Sequence, residues 1–151
     1  MIKIICVGKI KEKFYTDAIN EYLKRLKKYT QIEIVEVPDT KTDNPDIALK
    51  KEAEQISKHL KEKDYIITLA IEGNQYTSLE FSNMIDKTRL VSSSIVFVIG
   101  GSCGVSEDIK QKSQRLVSFS KQTFPHQLFR VMLVEQIYRS FKIMNNESYH
   151  K

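Results

Sequence analysis

Residues 95–104, IVFVIGGSCG, are the stretch that decides the fold of this chain. The run Ile95–Ile99 is far too short to span a membrane and is rich in β-branched residues, so it predicts a central strand covered on both faces. Three of the five residues after it are glycines, at 100, 101 and 104. Glycine lets a backbone turn sharply and lets a ligand approach its amides closely. The end of this strand is therefore the first candidate for a ligand site.

A second strand end follows about twenty residues later in the chain. The sequence predicts a short strand over Leu116–Phe119, then a polar loop over residues 120–123, and Phe124-Pro125-His126 begins the last helix. Open α/β sheets bind ligands in the loops at the carboxyl ends of their strands. We expect the site where these two loops meet.

Strands and helices alternate over the rest of the chain. The other expected strands are Met1–Val7, Ile32–Val37 and Tyr65–Ile71, and the expected helices are Phe14–Tyr29, Asp46–Lys61, Thr77–Leu90, Ser106–Gln114 and Gln127–Asn145. This alternation predicts an α/β fold with a mostly parallel sheet flanked by helices. With 151 residues and no repeat or linker, we expect one domain, residues 1–151.

The composition narrows the function only slightly. Lys and Arg number 24 against 19 Asp and Glu, and the formal charge of +5 permits an RNA partner without demanding one. No apolar run approaches the roughly 20 residues of a membrane span, and the start resembles a strand rather than a signal peptide, so we expect a cytoplasmic protein without membrane contact. The two cysteines have neither disulfide nor metal spacing, so no metal is expected.

The glycine motif alone does not identify a ligand. Its spacing differs from the G-x-G-x-x-G of dinucleotide folds, and no Gly-Lys-Ser/Thr follows as in a phosphate-binding loop. Cys103 and His126 admit a thiol hydrolase as an alternative, although no third group in the sequence orients the pair.

The last helix carries a charged residue on its apolar face. At 100° per residue, Arg130 shares one face with Leu133, Val134, Ile137, Phe141 and Met144. Such an arginine needs a partner, which is either a structural carboxylate or an anionic group in a site. Residues 128–134 are apolar except for Arg130, which predicts cover from the core and from a second subunit. After the helix, Tyr149-His150-Lys151 is a set suited to stacking a base and meeting a phosphate.

These features together resemble a known family. The motifs that carry the resemblance span the whole chain and are Val7-Gly8-Lys9, Glu36-Val37-Pro38, Phe97–Gly104, Thr123-Phe124-Pro125-His126-Gln127, Arg130-Val131, Glu135-Gln136-x-Tyr138-Arg139 and Tyr149-His150-Lys151. The chain resembles the RlmH (YbeA-like) methyltransferases of the SPOUT superfamily, which methylate N3 of a pseudouridine in large-subunit ribosomal RNA. The resemblance implies a homodimer and a C-terminal deep trefoil knot. Such a knot is an exception to the rule against threaded connections.

The resemblance also implies a donor and a set of site residues. The methyl donor would be S-adenosylmethionine, held by Leu69, Gly100, Phe119, Ser120, Lys121, Gln122, Thr123 and Phe124. The residues implied for the acceptor and for catalysis are His126, Arg130, Arg139, Tyr149 and His150. Either histidine could accept the N3 proton, and either arginine could stabilise the developing anion. The alternatives are a SPOUT enzyme acting on another RNA, such as tRNA, and a non-enzymatic RNA- or nucleotide-binding module. The expected substrate is the assembled ribosome rather than free RNA, because so small a chain has little surface for long-range RNA recognition.

Overall fold

A sheet of five parallel strands forms the centre of the molecule in the computed structural model, which describes residues 1–151. The strands are β1 (Ile2–Val7), β2 (Ile32–Val37), β3 (Tyr65–Gln75), β4 (Ile95–Ile99) and β5 (Arg115–Ser118). The helices are α1 (Lys13–Leu26), α2 (Pro45–Ser57), α3 (Ser78–Val91), α4 (Glu107–Lys112) and α5 (His126–Met144). The strand order is β2-β1-β4-β3-β5, and every pairing is parallel. The predicted α/β fold with a parallel sheet is confirmed, whereas the knot stays a prediction.

Strand β4 lies in the middle of the sheet, and all five of its residues are buried. Alternate side chains point to opposite faces of a strand, so Phe97 enters one core cluster while Val96 and Val98 enter the other. Helices α1, α3 and α5 cover the first face, and α2 and α4 cover the second. The apolar run at 95–99 therefore forms the two-sided central strand that its composition predicts.

Local sequence signals fix the starts of two helices. Thr77 and Glu80 form a capping box, in which Thr77 Oγ1 accepts from the Glu80 amide at 3.1 Å and Glu80 Oε2 accepts from the Thr77 amide at 2.7 Å. Asn44 caps α2 by accepting from the Asp46 amide at 3.0 Å, and Pro45 occupies the first helical position. None of the five helices is long and apolar enough to cross a membrane.

Strand β3 runs further than the sequence predicts, to Gln75 rather than Ile71. Its pairing with β5 is interrupted between Leu69 and Asn74 and then resumes. Gly73 makes this possible, because a Cβ there would lie 2.6 Å from the backbone of Val117. The four residues of the interruption are not paired with β5. They lie beside the carboxyl ends of β4 and β5, where the candidate site is found.

Candidate functional site

A largely apolar cavity lies at the carboxyl ends of β3, β4 and β5. Its space is about 590 Å³ when the open mouth is counted. The walls from β3 and the loop after β4 are Leu69, Ala70, Ile71, Ile99, Gly100, Gly101, Gly104 and Val105. The walls from β5, the loop after it and α5 are Val117, Ser118, Phe119, Ser120, Gln122, Thr123, Phe124, His126 and Phe129. The cavity thus occupies the edge of the sheet where open α/β proteins bind ligands.

The loop after β4 is a tight turn that only glycine permits at position 100. The Gly104 amide donates to the Gly101 carbonyl at 3.0 Å, and Gly104 has a φ of +82°. A Cβ on Gly100 would lie 2.2 Å from the Gly104 carbonyl oxygen, so no other residue fits without moving the turn. The turn therefore forms a fixed wall of the cavity.

The loop between β5 and α5 presents free backbone donors. The loop is shaped by Ser120, whose hydroxyl accepts from the Gln122 amide at 3.0 Å and whose carbonyl accepts from the Ser118 hydroxyl at 3.0 Å. The amides of Ser120, Lys121, Thr123 and Phe124 make no hydrogen bond within the protein. These N–H groups are available to the acceptor atoms of a ligand.

Glu52 lies behind the glycine turn, and only 4% of it is exposed. A Cβ on Gly101 would lie 3.4 Å from both carboxylate oxygens, and Oε1 accepts from the Thr40 amide at 3.3 Å. Oε2 has no hydrogen-bond partner. Burial raises the pKa of this carboxyl, and the nearby Asp39 carboxylate raises it further.

His126 and Arg130 occupy the first turns of α5 and have different surroundings. His126 lines the cavity, and its Nε2 would lie 3.7 Å from a Cβ on Gly8. Arg130 is 2% exposed, and it donates from Nη1 to Glu36 Oε2 at 2.7 Å and from Nη2 to the Gly8 carbonyl at 3.1 Å. Arg130 is absent from the cavity wall. It ties β1 and β2 to the start of α5.

The chain end forms a compact cluster on the second half of α5. Arg139 Nη2 and Glu135 Oε1 are 2.6 Å apart, and the Tyr149 hydroxyl donates to the same Glu135 oxygen at 2.9 Å. The Arg139 guanidinium lies 4.7 Å from the Tyr149 ring centre, and Arg139 Nη1 lies 3.1 Å from His150 Nδ1. Burial and then the Glu135 carboxylate raise the pKa of the Tyr149 hydroxyl, so it stays a proton donor at neutral pH.

Glu147 anchors this tail, which we define as residues 145–151. Its Oε2 accepts from Lys142 Nζ at 2.7 Å and from the Tyr29 hydroxyl at 2.8 Å. The hydrogen bonds from Lys142 and Tyr29 lower the pKa of the Glu147 carboxyl to about 2. The tail is therefore docked on α1 and α5 rather than frayed.

A second hollow lies between the cavity and the tail. Its lining residues come from α1, the turn after β3, the start of α3, the loop after β5 and the outer face of α5, and they are Tyr22, Tyr76, Ser78, Phe119, Val131, Met132, Glu135 and Gln136. Phe119 is shared with the cavity, whereas Glu135 is shared with the tail cluster. The hollow therefore connects the two groups of site residues.

Comparison with known proteins identifies the family. The model of a family described as predicted SPOUT methyltransferase matches residues 1–150. This chain belongs to the SPOUT methyltransferase family. Proteins named ribosomal RNA large subunit methyltransferase H are similar over nearly the whole length. The one from Caldicellulosiruptor saccharolyticus is 49% identical over 100% of both chains, and one from Clostridium botulinum is 52% identical over 99% of both chains. These relatives confirm the resemblance to the RlmH family within SPOUT.

A solved structure agrees with this assignment at the level of the fold. It is titled as a probable methylase family protein from Haemophilus influenzae Rd KW20 and aligns with a TM-score of 0.57. The alignment covers 99% of this chain and 70% of the other, at 15% identity. So low an identity shows a shared fold and nothing finer.

S-adenosylmethionine is the methyl donor of SPOUT methyltransferases, and the cavity of this SPOUT chain has a suitable chemistry for it. The apolar side chains of Ile71, Val105 and Phe129 suit the flat faces of an adenine. The unbonded amides of the loop after β5 suit the ring nitrogens and the carboxylate of the donor. Bound there, the donor would supply a methyl group activated by a sulfonium.

The structure brings together nearly all the residues predicted to hold this donor. Seven of the eight line the cavity, and the exception is Lys121, whose side chain is exposed outside the wall. The sequence missed Ile71, Val105, Phe129 and Glu52. A signal for Ile71 exists only in the structure, as an apolar side chain left 56% exposed where β3 leaves its pairing with β5. Glu52 gave no signal, because it is one of several charged residues in its helix.

The residues predicted for catalysis do not form one cluster in this SPOUT chain. His126 and Arg139 are thirteen positions apart on α5, which is about 20 Å along the helix axis. Within one chain, His126 and the tail therefore belong to separate groups, since no tail residue lines the cavity. Arg130 does not line the cavity, because its guanidinium is buried against Glu36 and Gly8, and a catalytic role for it stays a prediction. Of the two alternatives that the sequence left open for Arg130, the arrangement favours the structural ion pair.

Replacing Arg130 by methionine is expected to destabilise the fold by about 2–4 kcal/mol, since two hydrogen bonds from a buried charged donor are lost. Urea denaturation measures this change. The matched control is Arg25→Met, whose pair with Glu21 is 3.0 Å long but has half-exposed side chains. That change should cost less than about 0.5 kcal/mol. Equal effects of the two substitutions would contradict a structural role for Arg130.

Proposed function

We propose that this protein methylates N3 of a pseudouridine in large-subunit ribosomal RNA, with S-adenosylmethionine as donor and the assembled ribosome as substrate in the cytoplasm. The observation that carries the proposal is the full-length similarity, at about half identity, to proteins named ribosomal RNA large subunit methyltransferase H. The net charge of +5 favours an anionic acceptor such as RNA.

Donor binding is assigned to the cavity at the carboxyl ends of β3, β4 and β5. The proposed contacts are Leu69, Gly100, Phe119, Ser120, Gln122, Thr123 and Phe124, with Lys121 at the rim. The rigid glycine turn would position the donor, and the apolar walls would exclude water from the transferred methyl.

Methyl transfer requires the protein to align N3 with the methyl group of the donor and to allow one proton to be removed from N3. The new N3–CH₃ bond forms as the S–CH₃ bond breaks, and the N3–H proton leaves to a base or to water. His126 is the proposed acceptor from this chain, because its imidazole lies in the cavity wall and has a ring nitrogen that can take up a proton.

The acceptor site is proposed to form between two subunits. The outer face of α5 leaves Leu128, Val131 and Met132 only half-buried, and Val131 and Met132 line the second hollow, which a second copy of the chain would cover. Because this hollow shares Phe119 with the cavity, residues of the second subunit would then lie beside the donor. The tail contacts Glu135 and Arg139 rather than the cavity wall of its own chain, and we propose that it acts at the cavity of the other subunit.

Incubation with donor labelled in the methyl group tests the proposal. Purified ribosomes, protein-free ribosomal RNA and bulk tRNA are offered separately, all taken from cells that lack the enzyme. We expect label in the large-subunit RNA of ribosomes and at least tenfold less in free RNA. Label found only in tRNA would mean that tRNA, rather than ribosomal RNA, is the acceptor. Donor binding without transfer to any RNA would mean that the protein is a non-enzymatic binding module.

A further inference from the structure

The segment between β1 and α1 places exposed lysines and an exposed aromatic ring beside the cavity. Phe14 is 64% exposed, and its ring centre lies 4.5 Å from that of Tyr15. Lys9 and Lys11 are also exposed. We call residues 9–14 the β1–α1 rim.

The backbone of the β1–α1 rim is fixed against the start of α5. The Lys11 amide donates to Gln127 Oε1 at 3.0 Å, and the Ile10 amide donates to Glu36 Oε2 at 3.1 Å. That Glu36 oxygen also accepts from Arg130, and Gly8 lies against His126 of the cavity wall. The backbone is thus held at the cavity mouth while the long side chains remain free.

The charge of the rim is only partly neutralised. Lys13 forms an ion pair with Asp17, one turn further along α1. Lys9 and Lys11 have no carboxylate within 4.0 Å, and the one acidic residue of the rim, Glu12, is exposed and unpaired as well. Two free cations next to a stacking surface make a pattern that suits single-stranded RNA, whose phosphates and base faces are both open.

We propose that the β1–α1 rim is an RNA-binding surface, in which Phe14 stacks on an unpaired base and Lys9 and Lys11 contact the phosphates next to the methylated nucleoside. The inference rests on the proposed function in that the acceptor is RNA. It adds a recognition surface in the same subunit as the donor cavity. A second copy of this chain is a poorer occupant, because two basic rims brought together would repel each other.

Steady-state methylation with ribosomes tests the rim through three variants, Phe14→Ala, Lys9→Gln and Lys11→Gln. Loss of the stack should raise KM for the ribosome about 5–100-fold. Each lysine variant should lower the slope of log(kcat/KM) against log[salt] by about 0.7–0.9. Donor affinity, measured by calorimetry, should stay within twofold of the unmodified protein.

Two variants at the other end of the sheet serve as matched controls. Leu90→Ala removes an apolar side chain that is 83% exposed, and Lys63→Gln removes an exposed charge near the start of β3. Neither should change KM or the salt slope. Rim variants that behave like these controls would overturn the proposal. Rim variants that sediment at a lower mass than the unmodified protein would also overturn it, since the rim would then be a contact between subunits.

The outcome for the rim is separable from that for the proposed function. If the unmodified protein methylates tRNA rather than ribosomes, the same measurements are made with tRNA, and the rim is upheld or overturned by KM and slope alone. If no RNA is methylated, equilibrium binding of single-stranded RNA to the rim variants and controls decides the question in the same way.

Discussion

Gly100→Ala is expected to abolish useful binding of S-adenosylmethionine. The added Cβ would lie 2.2 Å from the Gly104 carbonyl oxygen, which is backbone, so the whole turn must move. A turn displaced in this way would no longer fit the donor, and we expect at least a 100-fold loss of affinity, which is about 2.7 kcal/mol. Isothermal titration calorimetry measures it directly.

The matched control for this substitution is Gly104→Ala in the same turn. A Cβ on Gly104 would meet no protein atom within 4 Å, so its cost to the turn itself is limited to the positive φ of +82°. That cost is about 1–2 kcal/mol and should weaken donor binding by no more than about 30-fold. Urea denaturation should show both variants folded. A folded Gly100→Ala protein with unchanged donor affinity would show that the donor does not bind in this cavity.

Deleting Ser148–Lys151 is expected to lower methylation by about 100-fold or more while leaving donor affinity unchanged. The deletion removes Tyr149 and His150, and one stacked base is worth about 1–3 kcal/mol before any loss of alignment is counted. The tail contacts α5 at Glu135 and Arg139 and lines no part of the donor cavity, so donor binding should not depend on it. Donor calorimetry, thermal melting and methylation rate are measured on the same preparation. A tail that only covers apolar surface would instead lower melting temperature, donor binding and methylation together.

Mixed dimers decide which subunit the tail serves. A Gly100→Ala chain and a tail-deleted chain carry different affinity tags and are purified as a heterodimer. If the tail acts on the other subunit, one of the two sites has an intact cavity and an intact tail, and about half of the normal activity returns. If the tail acts within its own chain, every site lacks one part and the heterodimer stays inactive. Each homodimer alone is the control.

The sequence sufficed for the elements of the fold because their signals are local. The two-sided burial of β4 follows from five apolar residues, and the start of α3 follows from Thr77 and Glu80. The donor loops were also predictable, since glycines and a polar loop follow strands whose ends must share one edge of a parallel sheet.

The remaining features depend on residues far apart in the chain. Glu36, the partner of Arg130, lies 94 positions earlier, so no spacing could show that this arginine is neutralised. The longer course of β3 depends on Gly73 passing against β5, which an apolar pattern ending at Ile71 does not reveal. The docking of Tyr149 on Glu135 gave no signal either, because chain ends usually fray.

Nucleoside mass spectrometry shows directly which nucleoside receives the methyl group. Large-subunit RNA is taken from ribosomes methylated with labelled donor, digested to nucleosides and separated. We expect one labelled species with the mass and fragmentation of N3-methylpseudouridine, whose glycosidic carbon–carbon bond resists cleavage. The species should be absent with the Gly100→Ala protein and present with Leu90→Ala. Label in any other nucleoside, or in tRNA alone, would contradict the proposed reaction.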